Sequence, residues 1–387
     1  MKKATTIMKR PAVILLVLLM ALGLVACDSG ASHDDAAQGS APNNATGGTT
    51  GSGGASSVPS SDNESATYIF TDSAGREVEL PRNIERIAPS GPLAQVVLIT
   101  LCPDKLAGLS SGISDQQFEY IDSKYSSLPV LGNFYADTLS LESVILAAPQ
   151  VVIDIGESKP NNTDDLDSIQ ERTGVPTIFI QMEMGTICDA YQTLGELTGE
   201  TEQARRLIDY ISQTLSDTEE KVNTIPASDR LRVYYGTDDG LTGMVSGTVH
   251  TDVIDFAGGY NVVVLEQTLR GGAATISMEQ LMLWDPEVVL LTPASIYGSI
   301  GTNPDWGGIS AVRNGRFYEI PEGPYNWMGR PPSVNRMLGI KWLSNLLYPE
   351  IFNYDMASEM REFYRLFYHC EVTDAQINAL LANSTFR

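Results

Sequence analysis

The chain has 387 residues, room for about two domains, with 43% hydrophobic and 19% charged residues, an ordinary globular mixture rather than a disordered or collagen-like one. Lys plus Arg total 25 against 48 Asp plus Glu, a formal net charge of −23 that repels phosphate backbones and excludes nucleic acid as a partner. His33, His250 and His369 are far apart and show no zinc-ligand spacing, so neither a resident metal nor a cofactor is expected.

Residues 1–26 read as a lipoprotein signal peptide. Lys2, Lys3, Lys9 and Arg10 form a basic start, and Pro11 to Ala26 is a nearly unbroken apolar run, short for a membrane span. Leu24-Val25-Ala26-Cys27 resembles a lipobox, which makes Cys27 the lipidated residue and places the rest outside the cell membrane, held by a lipid anchor. Cleavage there discards four positive charges and takes the net charge from −23 to −27. Residues 27–65 are then the lipidated cysteine and a Ser/Gly-rich tether with no aromatic residue and one branched aliphatic, Val58. Such a segment cannot offset its ordering entropy, and as a coil it spans roughly 35 Å. Cys102, Cys188 and Cys370 remain; three thiols allow at most one disulfide, and buried thiols are the plainer reading.

Tyr68 to Pro81 alternates around a glycine-containing turn, a β-hairpin. Strands are expected at Arg86–Ala88, Val151–Ile155 and Pro176–Ile180, with helices near Leu93–Leu101, Leu141–Ala148 and Asp165–Thr173. Ala204, Leu207, Ile208, Ile211 and Leu215 then follow helical spacing in one amphipathic helix, Thr201 its expected N-cap. The αβ rhythm resumes with strands at Arg232–Tyr235, Glu287–Leu291 and Arg316–Ile320, then a helical C-terminus from about Ser333. The expected fold is therefore α/β, two αβ lobes with central parallel sheets joined by a single long helix: residues 66–200, connecting helix 201–224, and residues 225–387, with a ligand cleft between the lobes.

The lobes carry an ungapped repeat. Leu139 to Val152 matches Ile276 to Val289, with Ser140/Ser277, Glu142/Glu279, Leu146/Leu283, Pro149/Pro286, Val151/Val288 and Val152/Val289 identical at a separation of 137. Each copy reads as a serine cap, a short helix, a proline stop and a buried strand. Signal, tether, repeat and connecting helix, with Leu194–Gly199 and Asp255–Asn261, resemble the class III substrate-binding proteins of ABC importers, which serve cobalamin, ferric siderophores and haem. The resemblance covers Tyr68 to the C-terminus. It implies two lobes held by a rigid helix, no enzymatic activity, a monomer, and an ABC permease dimer as partner. It also implies that Glu142 and Glu279 dock onto arginine pockets of that permease.

The strand ends point to a cleft lined by Phe134, Tyr135, Arg270, Tyr325, Trp327 and Arg330. Aromatic faces beside guanidinium groups suit a bulky anionic metal chelate, an iron complex or cobalamin. The Gly-Arg-Pro-Pro-Ser form is similar to branches of the family that take molybdate or tungstate, where arginines and backbone N–H groups would do the binding. An enzyme on a similar scaffold would need a nucleophile with a neighbouring base or a phosphate loop, and the sequence offers neither. His250, near a helix start, reads as a surface or capping-region histidine rather than a metal ligand.

Overall fold

The computed structural model describes residues 66–385 except Gln267 and Arg270, so the signal peptide, Cys27, the tether and the Arg270 assignment lie outside the described residues. Strands β1 (Thr67–Thr71) and β2 (Glu77–Pro81) form the expected antiparallel hairpin. β3 (Ile87–Pro89), α1 (Pro92–Leu101), α2 (Leu141–Ala147), β4 (Val151–Gly156), α3 (Asn162–Thr173), β5 (Thr177–Gln181) and α4 (Ile187–Thr198) follow. β3, β4 and β5 make a three-stranded parallel sheet, the core of an N-terminal lobe. Its strands are mostly apolar because helices cover both faces, Asp154 of β4 being the charged exception.

α5 (Thr201–Val222) is the long amphipathic helix. At 1.5 Å per residue it is roughly 33 Å long. Thr201 is its first helical residue and Glu200 precedes it without a side-chain cap, a shift of one position from expectation. β6 (Arg232–Thr237), β7 (Thr242–Met244), α6 (Asp252–Phe256), β8 (Tyr260–Asn261), β9 (Ala273–Thr275), α7 (Met278–Trp284), β10 (Val288–Leu291), α8 (Tyr297–Ile300), α9 (Ser310–Arg313) and β11 (Phe317–Glu319) build the second lobe. Its sheet runs β11-β10-β6-β7-β9 with β8 also on β6. β7 pairs antiparallel with both neighbours, so this sheet is mixed rather than wholly parallel.

α10 (Asn335–Leu347), α11 (Met356–Phe367) and α12 (Asp374–Leu381) close the chain. α11 packs back on α1 and α5 of the first half. Tyr364 of α11 lies 5.3 Å, ring to ring, from Tyr120, and Gln203 of α5 donates to the Leu366 carbonyl at 2.9 Å. Gln376 of α12 donates to the Glu119 carbonyl at 2.9 Å. The largest hydrophobic core consequently runs without a break from β3–β5 through α5 and α10 into β6 and β10. Cys102 is buried, Cys188 and Cys370 half-buried, and all three are free thiols.

Candidate functional site

The two repeat helices are built alike. Ser140 Oγ accepts from the Ser143 N–H at 3.2 Å, and Ser277 Oγ from the Gln280 N–H at 3.1 Å, so each serine satisfies an otherwise orphaned first-turn donor. Both helices end left-handed on a residue other than glycine, Ala148 at φ 43° and Asp285 at φ 40°. Glu142 and Glu279 stand exposed in the first turns. The backbone N–H of Glu279, and then the Ser277 hydroxyl, hold the Glu279 carboxyl below its usual range.

The cleft begins at the carboxyl ends of β3, β4 and β5. Asp154 of β4 is buried, and its two oxygens accept from Ser90 Oγ at 2.5 Å and from the Tyr135 hydroxyl at 2.6 Å. Burial pushes the Asp154 carboxyl above its usual range, although both hydroxyls and Lys159 oppose the shift. The Tyr135 ring is 41% exposed, and Lys159 Nζ sits 5.5 Å from its centroid. Its loop is fixed locally: Asn133 Oδ1 accepts from the Tyr135 N–H at 2.9 Å. Gly132, at φ +88°, allows the close return, since a Cβ there would lie 1.9 Å from the Thr138 carbonyl oxygen. A surface cavity of about 410 Å³ opens beside the ring, lined by Tyr135, Asp137, Asp165, Ser168 and Arg172.

The facing wall comes from the second lobe. Arg336 of α10, 1% exposed, pairs with Asp252 of α6 at 3.0 Å. Glu183, beyond β5, helps raise the Asp252 carboxyl, whose main perturbation is burial, and Glu157, beyond β4, favours the Arg336 charge. His250 Nδ1 lies 2.6 Å from the Gly329 carbonyl oxygen, and Arg330 is exposed at the next position. Glu322, near Arg330 and Asn326, is raised by burial.

The predicted cleft residues separate into two sets. Tyr135 and Arg330 are exposed. Phe134 is 3% exposed and packs with Leu131, Val144 and Val152, so it anchors the loop from below. Trp327 is completely buried, and the expectation of a stacking face there is corrected: its segment is wedged between lobes. Gln117 Nε2 donates to the Pro324 carbonyl at 3.2 Å, and the Tyr364 hydroxyl donates to the Gly323 carbonyl. Tyr325 is half-buried in the same wedge, its phenol raised to about 12 by burial with Gln95 of α1 offsetting part. Reading the sequence missed Asp154, Asp252, Glu183 and Arg336, and placed Glu157 only at a strand end. A lone carboxylate inside Val-Val-Ile-Asp-Ile was the available signal for the first.

Among the described residues no three His, Cys, Asp or Glu side chains are grouped to hold a metal, and no helix is long and apolar enough to cross a membrane. Two αβ lobes facing one another across strand ends, joined by one helix, define a solute-binding protein rather than a catalyst. The chain belongs to the periplasmic binding protein family, whose pattern matches residues 102–324. Its fold is that of the class III members, which bind solutes for ABC transporters outside the cytoplasm and catalyse nothing.

An ABC transporter solute-binding protein from Sulfurospirillum deleyianum is 26% identical and superimposes with a TM-score of 0.75 over 81% of this chain and 99% of its own. The molybdate periplasmic binding protein of Haemophilus influenzae shares the fold at 18% identity and a TM-score of 0.66, over 79% of this chain and 99% of its own. The periplasmic vitamin B12 binding protein of Vibrio cholerae does so at 18% and 0.54, over 70% and 98%. Among curated proteins, none matches the chain significantly.

Proposed function

We propose that this chain is a lipoprotein, anchored through Cys27, that captures a metal chelate outside the membrane and delivers it to an ABC permease dimer. The ligand class is an iron complex (siderophore or haem) or a cobalamin. Tyr135 carries this reading: an exposed aromatic face clamped from behind by a buried carboxylate is a stacking surface ordered before the ligand arrives. Arg330 supplies a guanidinium for the anionic edge of the chelate, and Arg270 is proposed for the same task.

Calorimetric titration with haemin, cyanocobalamin and a ferric catecholate tests the assignment. Tyr135→Ala is expected to weaken the bound chelate by about 2 kcal/mol, roughly 30-fold. A second reading, a small oxyanion, is favoured by the exposed Arg330 and by the molybdate-binding neighbour. Tight molybdate binding that disappears in Arg330→Ala and ignores Tyr135→Ala would replace the chelate with the oxyanion.

Glu142 and Glu279 are proposed as the permease-docking groups. A two-fold partner presents two equivalent sites, so a monomer seated on its axis needs two equivalent groups on pseudo-symmetric lobes. Glu142→Ala with Glu279→Ala is expected to leave calorimetric ligand affinity intact and to lower uptake, because rim charges set encounter and register. Unchanged uptake by the double variant would remove the docking assignment.

A further inference from the structure

Four of the six identities that relate the two lobes have an internal cause. Ser140 and Ser277 cap their helices, Pro149 and Pro286 are buried behind them, and Val151, Val152, Val288 and Val289 are wholly buried in β4 and β10. The other two pairs lie on the surface, although Glu279 also accepts from its own N–H and from Ser277. Glu142 and Glu279 are exposed, and Leu146 and Leu283 are 77% and 78% exposed.

Each leucine follows its glutamate by four residues, one helical turn or about 6 Å along the same face. Between them on that face stand Ile145, 69% exposed, and Met282, 42% exposed. The opposite faces do the packing, through Val144 and Ala147 in α2 and Leu281 in α7. Burial in the chain's own core therefore explains neither leucine, and leaving an apolar pair in water at both copies offers the monomer nothing.

We propose that Ile145–Leu146 and Met282–Leu283 are two equivalent apolar knobs that enter matching recesses on the permease dimer. This rests on the docking reading of Glu142 and Glu279 and extends it: the carboxylates set register, and the leucines supply the area that is removed from water. The occupant is a protein with two-fold symmetry because the knobs recur at matched positions on two related lobes. A lipid surface is disfavoured, since each knob carries a carboxylate one turn away on a chain of net charge −23, and anionic headgroups repel both.

Surface plasmon resonance on the importing permease dimer in nanodiscs, with lipid-only nanodiscs of the same composition as reference, tests the proposal. Leu146→Ser and Leu283→Ser are each expected to weaken association at least tenfold, about 1.4 kcal/mol apiece, at every salt concentration. The loss in Glu142→Ala/Glu279→Ala should shrink as salt rises. Leu146→Met/Leu283→Met should keep binding, and melting curves with ligand titration confirm that the serine variants stay folded. Serine variants that bind like wild type while the alanine pair fails would overturn the knobs and leave the docking reading standing. Wild-type binding by the serine variants and by the alanine pair alike would overturn both. Equal binding of the wild type to lipid-only discs would also overturn the inference, in favour of a membrane-seated surface.

Discussion

The outer ends of the two lobes resemble each other far more than their inner faces do. Outside, α2 and α7 share a serine cap, a glutamate, an exposed leucine, and a left-handed stop at Ala148 and Asp285. Inside, the first lobe offers Asp154 held by two hydroxyls, whereas the second offers the Arg336–Asp252 ion pair, His250 and Arg330. Under the docking and ligand sites proposed above, related lobes stay alike where a symmetric partner is met and diverge where one asymmetric ligand is shared.

Substituting the two inner aspartates sharpens that contrast most. Asp252→Asn strands Arg336, which is 1% exposed, and should cost about 3 kcal/mol in chemical denaturation, the low end for such pairs because Asp252 keeps 25% exposure. Replacing both partners, Asp252→Asn with Arg336→Met, should recover most of the loss. Asp154→Asn should behave oppositely. Burial raises the folded pKa of Asp154 above its unfolded value of about 3.9, so ionisation opposes folding. The penalty is absent below the unfolded pKa and grows as pH rises through the folded one. The asparagine variant should therefore gain on wild type between about pH 4 and neutrality, read as a widening difference in melting temperature. A pH-independent difference would break the assignment.

A smaller effect probes the shared outer ends. Both left-handed stops strain a side chain, so Ala148→Gly should stabilise by up to about 1 kcal/mol. Asp285→Gly should not, because Asp285 accepts from the Ser310 N–H and hydroxyl, both at 2.7 Å. Equal gains at both positions would show that those bonds contribute nothing.

The repeat helices, the parallel strands and α5 were legible because each is long or duplicated enough to leave a periodic pattern. β7 and β9 were not, since Thr242–Met244 and Ala273–Thr275 are small-residue segments flanked by glycine, unlike the equally short β11 inside Arg316–Ile320. Among site residues, Tyr135, Arg330 and both glutamates stand exposed as their loops and helix starts suggested. Trp327 did not, because an aromatic in a Gly/Pro loop looks the same whether it faces a cleft or is covered by a distant helix. Here α10 and α11, which follow the loop in the chain, close over it: Gly339 of α10 lies against the Trp327 carbonyl and Tyr364 of α11 reaches its side chain. The Arg336–Asp252 pair was hidden for the same reason, its partners being 84 positions apart.

The return of α11 and α12 onto the first lobe has a practical consequence for sensor design. A reporter that measures distance between two attached fluorophores needs lobes that swing, and a chain stitched together by α5, α11 and one continuous core gives it little to read. An environment-sensitive dye on the Tyr135 loop, the proposed binding surface, needs no swing to register ligand and is the better place to listen.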